Sequence, residues 1–358
     1  MNKERIKEFI AKLPLTVVEA MAKIDGHADE AGLIFIVDDA DHLIGCVTDG
    51  DIRRWILRGG ELNALAVDVM HKKPIYLSID EKANAKALML EKNITAVPII
   101  DGDNKVIDIV LSRDVSKTKD KKKSLKGVPV VIMAGGMGTR LYPFTKILPK
   151  PLIPIGDTPI VERIIDCYVE YGIDEYYMTV NYKKGMLRSY FNDLATQYKV
   201  KFVEEDKPLG TGGSIKLIED KFARPLFVTN CDALIRADYA DVYELHKRCG
   251  NDITMVSALK NITVPYGVVN SGENGELLSM EEKPTLSYFI NTGMYVINPE
   301  TIELIPDDTM FHMTHLVEKV MQNGGKVGTY PISEDSFLDM GEFEEMKRME
   351  QKLNIISE

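Results

Sequence analysis

An unbroken apolar run from Val128 to Ala134 stops at Gly135, Gly136 and Gly138, with Arg140 close behind and Lys150 set between two prolines. A short apolar run that ends in glycines reads as a buried strand stopping at a tight loop. Glycines there let backbone N–H groups turn toward a ligand with no side chains in the way. Two flanking cations suit that loop to a polyphosphate. The spacing excludes a G-x-x-x-x-G-K-[ST] phosphate loop, which is absent. It also departs from the G-x-G-x-x-G fingerprint, because Pro143 follows the glycines too soon for a helix to open there.

Downstream the pattern alternates between strand and helix over 128–134, 159–171, 175–180, 184–192, 199–204, 212–220, 225–230, 238–249 and 252–259. Such alternation predicts a parallel sheet with helices on both faces, and ligands in such sheets sit beyond the carboxyl ends of the strands. After Leu259 short strands follow at 267–270, 277–281 and 289–297, with closing helices at 313–322 and 341–353.

A chain of 358 residues exceeds what one core usually supports, so two domains are expected. The Lys-rich stretch 116–126 reads as a solvated linker. The expected division is a module at 1–118, a linker at 119–127 and a second domain at 128–358. The first module carries a weak internal repeat. Residues 33–38 and 42–54 read strand, acidic turn, strand and a polar step into a helix. Residues 96–101 and 105–115 repeat the order, and helical stretches at 17–23 and 83–92 precede the two copies. The N-terminus itself has helical periodicity at Ile6, Phe9, Ile10 and Leu13.

The repeat resembles a tandem pair of CBS domains, which commonly bind adenine nucleotides between the copies. The family's Gly-x-x-Thr/Ser-x-x-Asp step is matched by Gly45, Thr48 and Asp51. In the second copy Asp114 matches, while Asp108 and Leu111 replace the other two. The resemblance implies a regulatory nucleotide held by Thr48, Asp51 and Asp114; a dimerisation scaffold without a ligand is the alternative.

The string from Val130 to Ile155, with G-G-x-G-T-R-L followed by P-K-P-L, resembles the signature of the sugar-phosphate nucleotidyltransferases. That resemblance implies a Rossmann-like mixed α/β sheet and a reaction between a nucleoside triphosphate and a sugar 1-phosphate. It places Gly135, Gly136, Met137, Gly138 and Thr139 on the phosphates, Arg140 on the departing pyrophosphate and Lys150 toward the α-phosphate. Asp232, just past a strand end, and Asp339, in a family-like Asp-x-Gly, would hold Mg²⁺. Asp339 could instead cap a following helix. Glu282 and Lys283 resemble the element that contacts sugar and sugar phosphate, and Asn291, Thr292 and Gly293 the element that lines the sugar hydroxyls. Leu209, Gly210, Thr211 and Gly212 belong to a loop expected to open backbone groups toward the base. The string 207–213 looks most like that of mannose- and heptose-1-phosphate guanylyltransferases, which implies GTP. The CBS pair ahead of it resembles the glucosamine-1-phosphate guanylyltransferases of legionaminic acid synthesis. Glu281 and Glu282 would then face the sugar's amine. Mannose or heptose 1-phosphate, uridylyl or thymidylyl transfer, and a nucleotide sensor with an inactive transferase domain are the alternatives.

A formal net charge of −11 argues against nucleic acid as a partner. No apolar run is long enough to span a bilayer and no signal-peptide core is present, so a cytoplasmic protein is expected. Four scattered cysteines without C-x-x-C fit a reduced compartment, and Cys231 reads as a small buried residue. His312 and His315, at i and i+3 near a helix start, read as surface or packing residues rather than zinc ligands. The CBS resemblance implies a homodimer or higher homo-oligomer.

Overall fold

Val130–Ala134 is buried along its whole length, as expected of a strand covered on both faces. Successive side chains alternate between faces. Val130, Ile132 and Ala134 join one core, with Ile160, Ile164, Ile165 and Tyr168 of the helix Ile160–Val169. Val131 and Met133 join another, with Ile215, Val228 and Met313, Leu316 and Val320 of the helix Met313–Gln322. The computed structural model describes residues 3–27, 31–92, 94–112, 123–194, 196–341 and 343–353. They form two compact units, residues 1–121 with 260–288 and 333–335, and residues 122–259 with 289–332 and 336–358.

A seven-stranded sheet organises the second unit, in the order Lys199–Glu204, Glu175–Val180, Val130–Ala134, Leu226–Asn230, Thr285–Ile297, Ile253–Thr263, Val327–Ile332. The first four strands are parallel, with Val180 opposite Ala134 and Asn230 opposite Met133. Thr285–Ile297 runs antiparallel to Leu226–Asn230 and puts Met294 opposite Thr229. The sheet is therefore mixed. Its geometry brings four features to one edge: the loop after Ala134, the turn after Asn230, Glu205 and the segment Asn291–Gly293.

Ala233–Ile235 pairs antiparallel with Phe337–Asp339, which sets Asp339 opposite Ala233. Asp339 thus ends a strand, and the next helix, Phe343–Lys352, starts beyond it. Within the Lys-rich stretch, residues 116–122 lie outside the described residues. Leu125 is buried, and its N–H donates to Tyr171 O at 2.8 Å.

The internal repeat of the first unit is structural. Ile10–Lys12, Leu33–Val37 and Leu43–Thr48 form a three-stranded sheet, as do Leu77–Ser78, Ala96–Ile100 and Val106–Leu111. In each, the first pairing is parallel and the second antiparallel. The register shifts at the equivalent place, between Ile36 and Val37 and between Ile99 and Ile100. Asp38 Oδ1 accepts from the N–H groups of Ala40 and His42, and Asp101 Oδ1 from those of Asp103 and Lys105. This is the Asx turn that aspartate favours in a hairpin. The N-terminal helix is shorter than its periodicity implies. It spans Lys3–Glu8, and Ile10–Lys12 is drawn into a strand by pairing with Phe35, Ile36 and Val37. The same unit holds the two-stranded ribbon Gly267–Ser271 and Leu277–Glu282.

Candidate active site

The glycine loop leaves the sheet at Ala134 and turns at Gly138, whose φ of 64° is left-handed. A side chain there would be strained, and its Cβ would lie 3.0 Å from both Lys150 Cβ and Thr145 Cγ2. Gly136, Met137 and Thr139 are exposed, so their backbone is open to a ligand. Arg140 follows in the short 3-10 turn Thr139–Leu141.

Beyond the same edge lies a cavity of about 300 Å³, lined among others by Arg140, Asn230, Asp232, Asn291, Gly293 and Asp339. Met340 N donates to Asp232 O at 2.8 Å, so the pairing of Ala233–Ile235 with Phe337–Asp339 continues up to the two carboxylates. Burial and then the charge of Asp232 push the Asp339 carboxyl above its usual range, while Lys150 and Arg140 pull it back. Lys150 is buried, and its ammonium forms an ion pair with Asp232.

Two half-buried carboxylates that repel one another favour a cation between them. An all-oxygen donor pair suits Mg²⁺, which takes one or two carboxylates and completes its shell with water and substrate phosphates. Among the described residues no group of three or more His, Cys, Asp or Glu converges on one point. Asp232 and Asp339 are the carboxylates that could hold such an ion, its shell completed by water and substrate phosphates.

The structure brings Asn291, Thr292 and Gly293 into the lining of the same cavity. Thr292 Oγ1 donates to Val256 O at 2.8 Å, and Asn291 Nδ2 donates to Tyr295 Oη at 2.6 Å. These bonds fix the segment where strand Thr285–Ile297 passes the edge. Glu281, Glu282 and Lys283 lie at the end of the exposed ribbon, and all three are exposed themselves. They belong to the first unit.

In the loop 209–213, Leu209 and Gly212 are buried. The N–H groups of Gly212 and Gly213 both donate to Phe311 O, at 2.8 and 2.9 Å. Those two amides are thus turned to the chain itself rather than to a base edge.

Some site residues escape a reading of the sequence. Asn230 lines the cavity as the last residue of its strand, with no motif to mark it. His312, Met313 and Thr314 line it from the start of a helix. Glu205 is buried beside Gly135 and accepts from Leu209 N at 3.1 Å. Burial raises its carboxyl above the usual range. The signal for Glu205 was its position directly after a strand that ends at this edge. Cys231 is buried next to Asp232, and burial pushes its thiol well up, which keeps it protonated and inert.

In the first unit, Thr48 and Asp51 face one another. Asp51 Oδ2 accepts from Thr48 N at 3.0 Å and from Thr48 Oγ1 at 2.7 Å, and Thr48 Oγ1 accepts from Asp51 N at 3.1 Å. Together they cap the helix Asp49–Leu57. In the second repeat Asp108 is paired with Lys82 at 2.6 Å, and Asp114 lies outside the described residues.

The family model described as nucleotidyl transferase matches residues 129–354, and the CBS domain model matches residues 66–120. The chain belongs to the nucleotidyl transferase family and carries a CBS domain ahead of the transferase region. It is 32% identical over 232 residues to a UTP–glucose-1-phosphate uridylyltransferase of Synechocystis sp., covering 59% of each chain. It is 35% identical over 184 residues to a mannose-1-phosphate guanyltransferase of Emericella nidulans, covering 49% of this chain and 50% of that one. The chain thus spans about half to three-fifths of the length of these curated relatives. A crystal structure of a putative glucose-1-phosphate thymidylyltransferase from Bacillus anthracis shares the fold. Its TM-score is 0.51 at 20% identity, over 64% of this chain and 97% of that one.

Proposed function

We propose that this protein transfers GMP from GTP to a hexose 1-phosphate, with glucosamine 1-phosphate the favoured acceptor, and releases pyrophosphate. The observation that carries the reading is the arrangement around one sheet edge. The open glycine loop, Arg140, the Lys150–Asp232 pair, Asp339 and Asn291–Gly293 lie together there. A phosphate oxygen of the sugar 1-phosphate attacks the α-phosphorus, and the bond from that phosphorus to the α–β bridging oxygen breaks. Pyrophosphate carries the electron pair away. The attacking oxygen is already ionised near neutral pH, so no general base is needed. The protein's task is alignment and screening of charge. The amides of Gly136 to Thr139 hold the terminal phosphates, Arg140 neutralises the leaving group, and Lys150 reaches the α-phosphate from Asp232. Bound Mg²⁺ supplies further charge neutralisation on the phosphates.

The preference for guanine rests on the likeness of the 207–213 string to guanylyltransferases and on a guanyltransferase among the relatives. The preference for glucosamine 1-phosphate rests on the coupled CBS module. The first unit, in this reading, binds a regulatory nucleotide at Thr48 and Asp51. Pyrophosphate release is to be measured with GTP, ATP, UTP and dTTP, each against glucosamine, mannose and glucose 1-phosphates. The expected maximum is GTP with glucosamine 1-phosphate. A maximum with UTP or dTTP would overturn the guanylyl assignment, and no release from any pair would overturn the enzymatic reading.

A further inference from the structure

The family resemblance assigns the sugar hydroxyls to Asn291–Gly293, yet the side chains of that segment are engaged within the protein. Asn291 Nδ2 donates to Tyr295 Oη at 2.6 Å, and Asn291 Oδ1 accepts from Gly293 N at 2.9 Å. Thr292 is buried, with its hydroxyl donating to Val256 O at 2.8 Å and accepting from Met294 N at 3.4 Å. Gly293 has no side chain, and its φ of 80° is left-handed. The space a side chain would need there is filled by Asn230. A Cβ on Gly293 would lie 2.6 Å from Asn230 Cγ and closer still to Nδ2. Asn230 is half-buried at the end of the strand Leu226–Asn230, lines the cavity and stands two residues before Asp232. Its backbone carbonyl accepts from Thr229 Oγ1 at 3.3 Å. Its carboxamide makes no hydrogen bond among the described residues. A group with two donors and an acceptor is thus held by packing on a cavity wall, with its polar atoms left for a ligand.

We infer that Asn230 is a specificity-determining residue that contacts the substituent on carbon 2 of the sugar 1-phosphate. The inference rests on the proposed transfer reaction and deepens it. In that reaction the acceptor's phosphate meets the α-phosphorus beside Asp232, and its ring lies against Asn291–Gly293. The substituent on carbon 2 is the ring group next to that phosphate. A side chain that packs on Gly293 and precedes Asp232 by two residues stands where the two requirements meet. Asn230 Oδ1 can accept from an amine or a hydroxyl at carbon 2, and Nδ2 can donate to a hydroxyl oxygen. A site that hydrogen-bonds such a group rejects an analogue lacking it, because the site's own polar atoms are then left unpaired.

The test is a steady-state comparison of the full chain with Asn230→Leu, which keeps the branched shape that packs on Gly293 and loses the hydrogen bonds. The acceptors are glucosamine 1-phosphate, mannose 1-phosphate and 2-deoxyglucose 1-phosphate, with whichever triphosphate supports the highest rate. The parent should favour the better of the first two over the 2-deoxy sugar by about tenfold or more in kcat/KM, the worth of one well-made hydrogen bond. Asn230→Leu should lose about that factor on the substituted sugar and change little on the 2-deoxy sugar, so that the preference collapses. Calorimetric titration with the triphosphate alone should match the parent. Where Asn230→Leu fails to fold, as read by circular dichroism, Asn230→Ala takes its place in the same comparison. Equal losses on substituted and 2-deoxy sugars, or a preference that survives the substitution, would overturn the inference and leave the transfer reaction standing. A parent without preference for a group at carbon 2, or a weakened Kd for the triphosphate in the variant, would overturn it likewise. A parent inactive on every pair would remove the functional reading and the inference with it.

Discussion

Lys150 sits between two demands. It neutralises Asp232, and its charge lowers the proton affinity of Asp339. Removing a preorganised charge from such a site typically lowers turnover by roughly 10²–10³. Lys150→Ala should show a loss of that order in single-turnover assays. Because it leaves Asp232 without its counter-charge, the Mg²⁺ concentration for half-maximal rate should fall. Asp232→Asn and Asp339→Asn remove negative charge from the same place, so both should raise that concentration. Equal Mg²⁺ requirements in all three variants would make these residues structural. Away from the site, His246 is buried, with Nδ1 on Thr254 Oγ1 at 2.9 Å and Nε2 on Asn298 Oδ1 at 3.1 Å. Burial lowers its pKa below the ordinary 6.5. Below that value the unfolded chain binds a proton that the folded one resists, so stability is present above about 6.5 and lost as pH falls toward the folded pKa. Urea midpoints should therefore fall between pH 7.5 and 5.5 more steeply in the parent than in His246→Gln. Equal slopes would show that the ring is free to charge in the fold.

At the scale of the element, the strand Val130–Ala134 owes its place to residues before it as well as within it. Leu125 packs in the same core as Val128 and Tyr171, and its N–H is bonded to Tyr171 O. Truncating a buried leucine costs about 2–5 kcal/mol. Leu125→Ala should lower the unfolding free energy of the transferase unit by an amount in that range, as read by denaturant titration. A change below about 0.5 kcal/mol, the usual size at the surface, would return Leu125 to the linker. Length and periodicity anticipated the helices Ile160–Val169, Tyr239–Cys249 and Met313–Gln322 closely, because each carries its own apolar stripe and turn residues. They misjudged 212–220, where a four-residue helix and a 3-10 turn stand instead of one longer helix. There the close approach of Phe311 and Thr309 outweighs helical propensity.

For the whole molecule, the N-terminal unit raises the question of regulation. The Thr48–Asp51 capping box shows that these side chains already have a structural task. A nucleotide at this place would have to share or displace those bonds. Calorimetry with ATP, AMP and GTP should show a site beyond that of the transferase unit, lost in Asp51→Ala. Coupling between distinct sites typically changes affinity about 5–150-fold. The added nucleotide should shift the acceptor KM of the parent within that range and leave Asp51→Ala unaffected. Absence of binding by every nucleotide would confine Thr48 and Asp51 to capping.

What the sequence determined by itself was local: which runs are strands, where glycines must turn, and which cations and carboxylates follow the strand ends. These follow from side-chain period and backbone sterics, which act over a few residues. The internal repeat was also legible, because each copy carries its own acidic turn and paired strands. Tertiary structure alone decided which of these residues meet. Lys150 finds Asp232 across 82 residues, and Thr211 finds His312 across 101. Both meetings depend on strand order and register, which are set by burial of the whole sheet and leave no mark in either segment. The same long-range pairing overrode the helical pattern at Ile10 and put Asn230 and Glu205 at the working edge, since a residue's place on a sheet is fixed by its neighbouring strands.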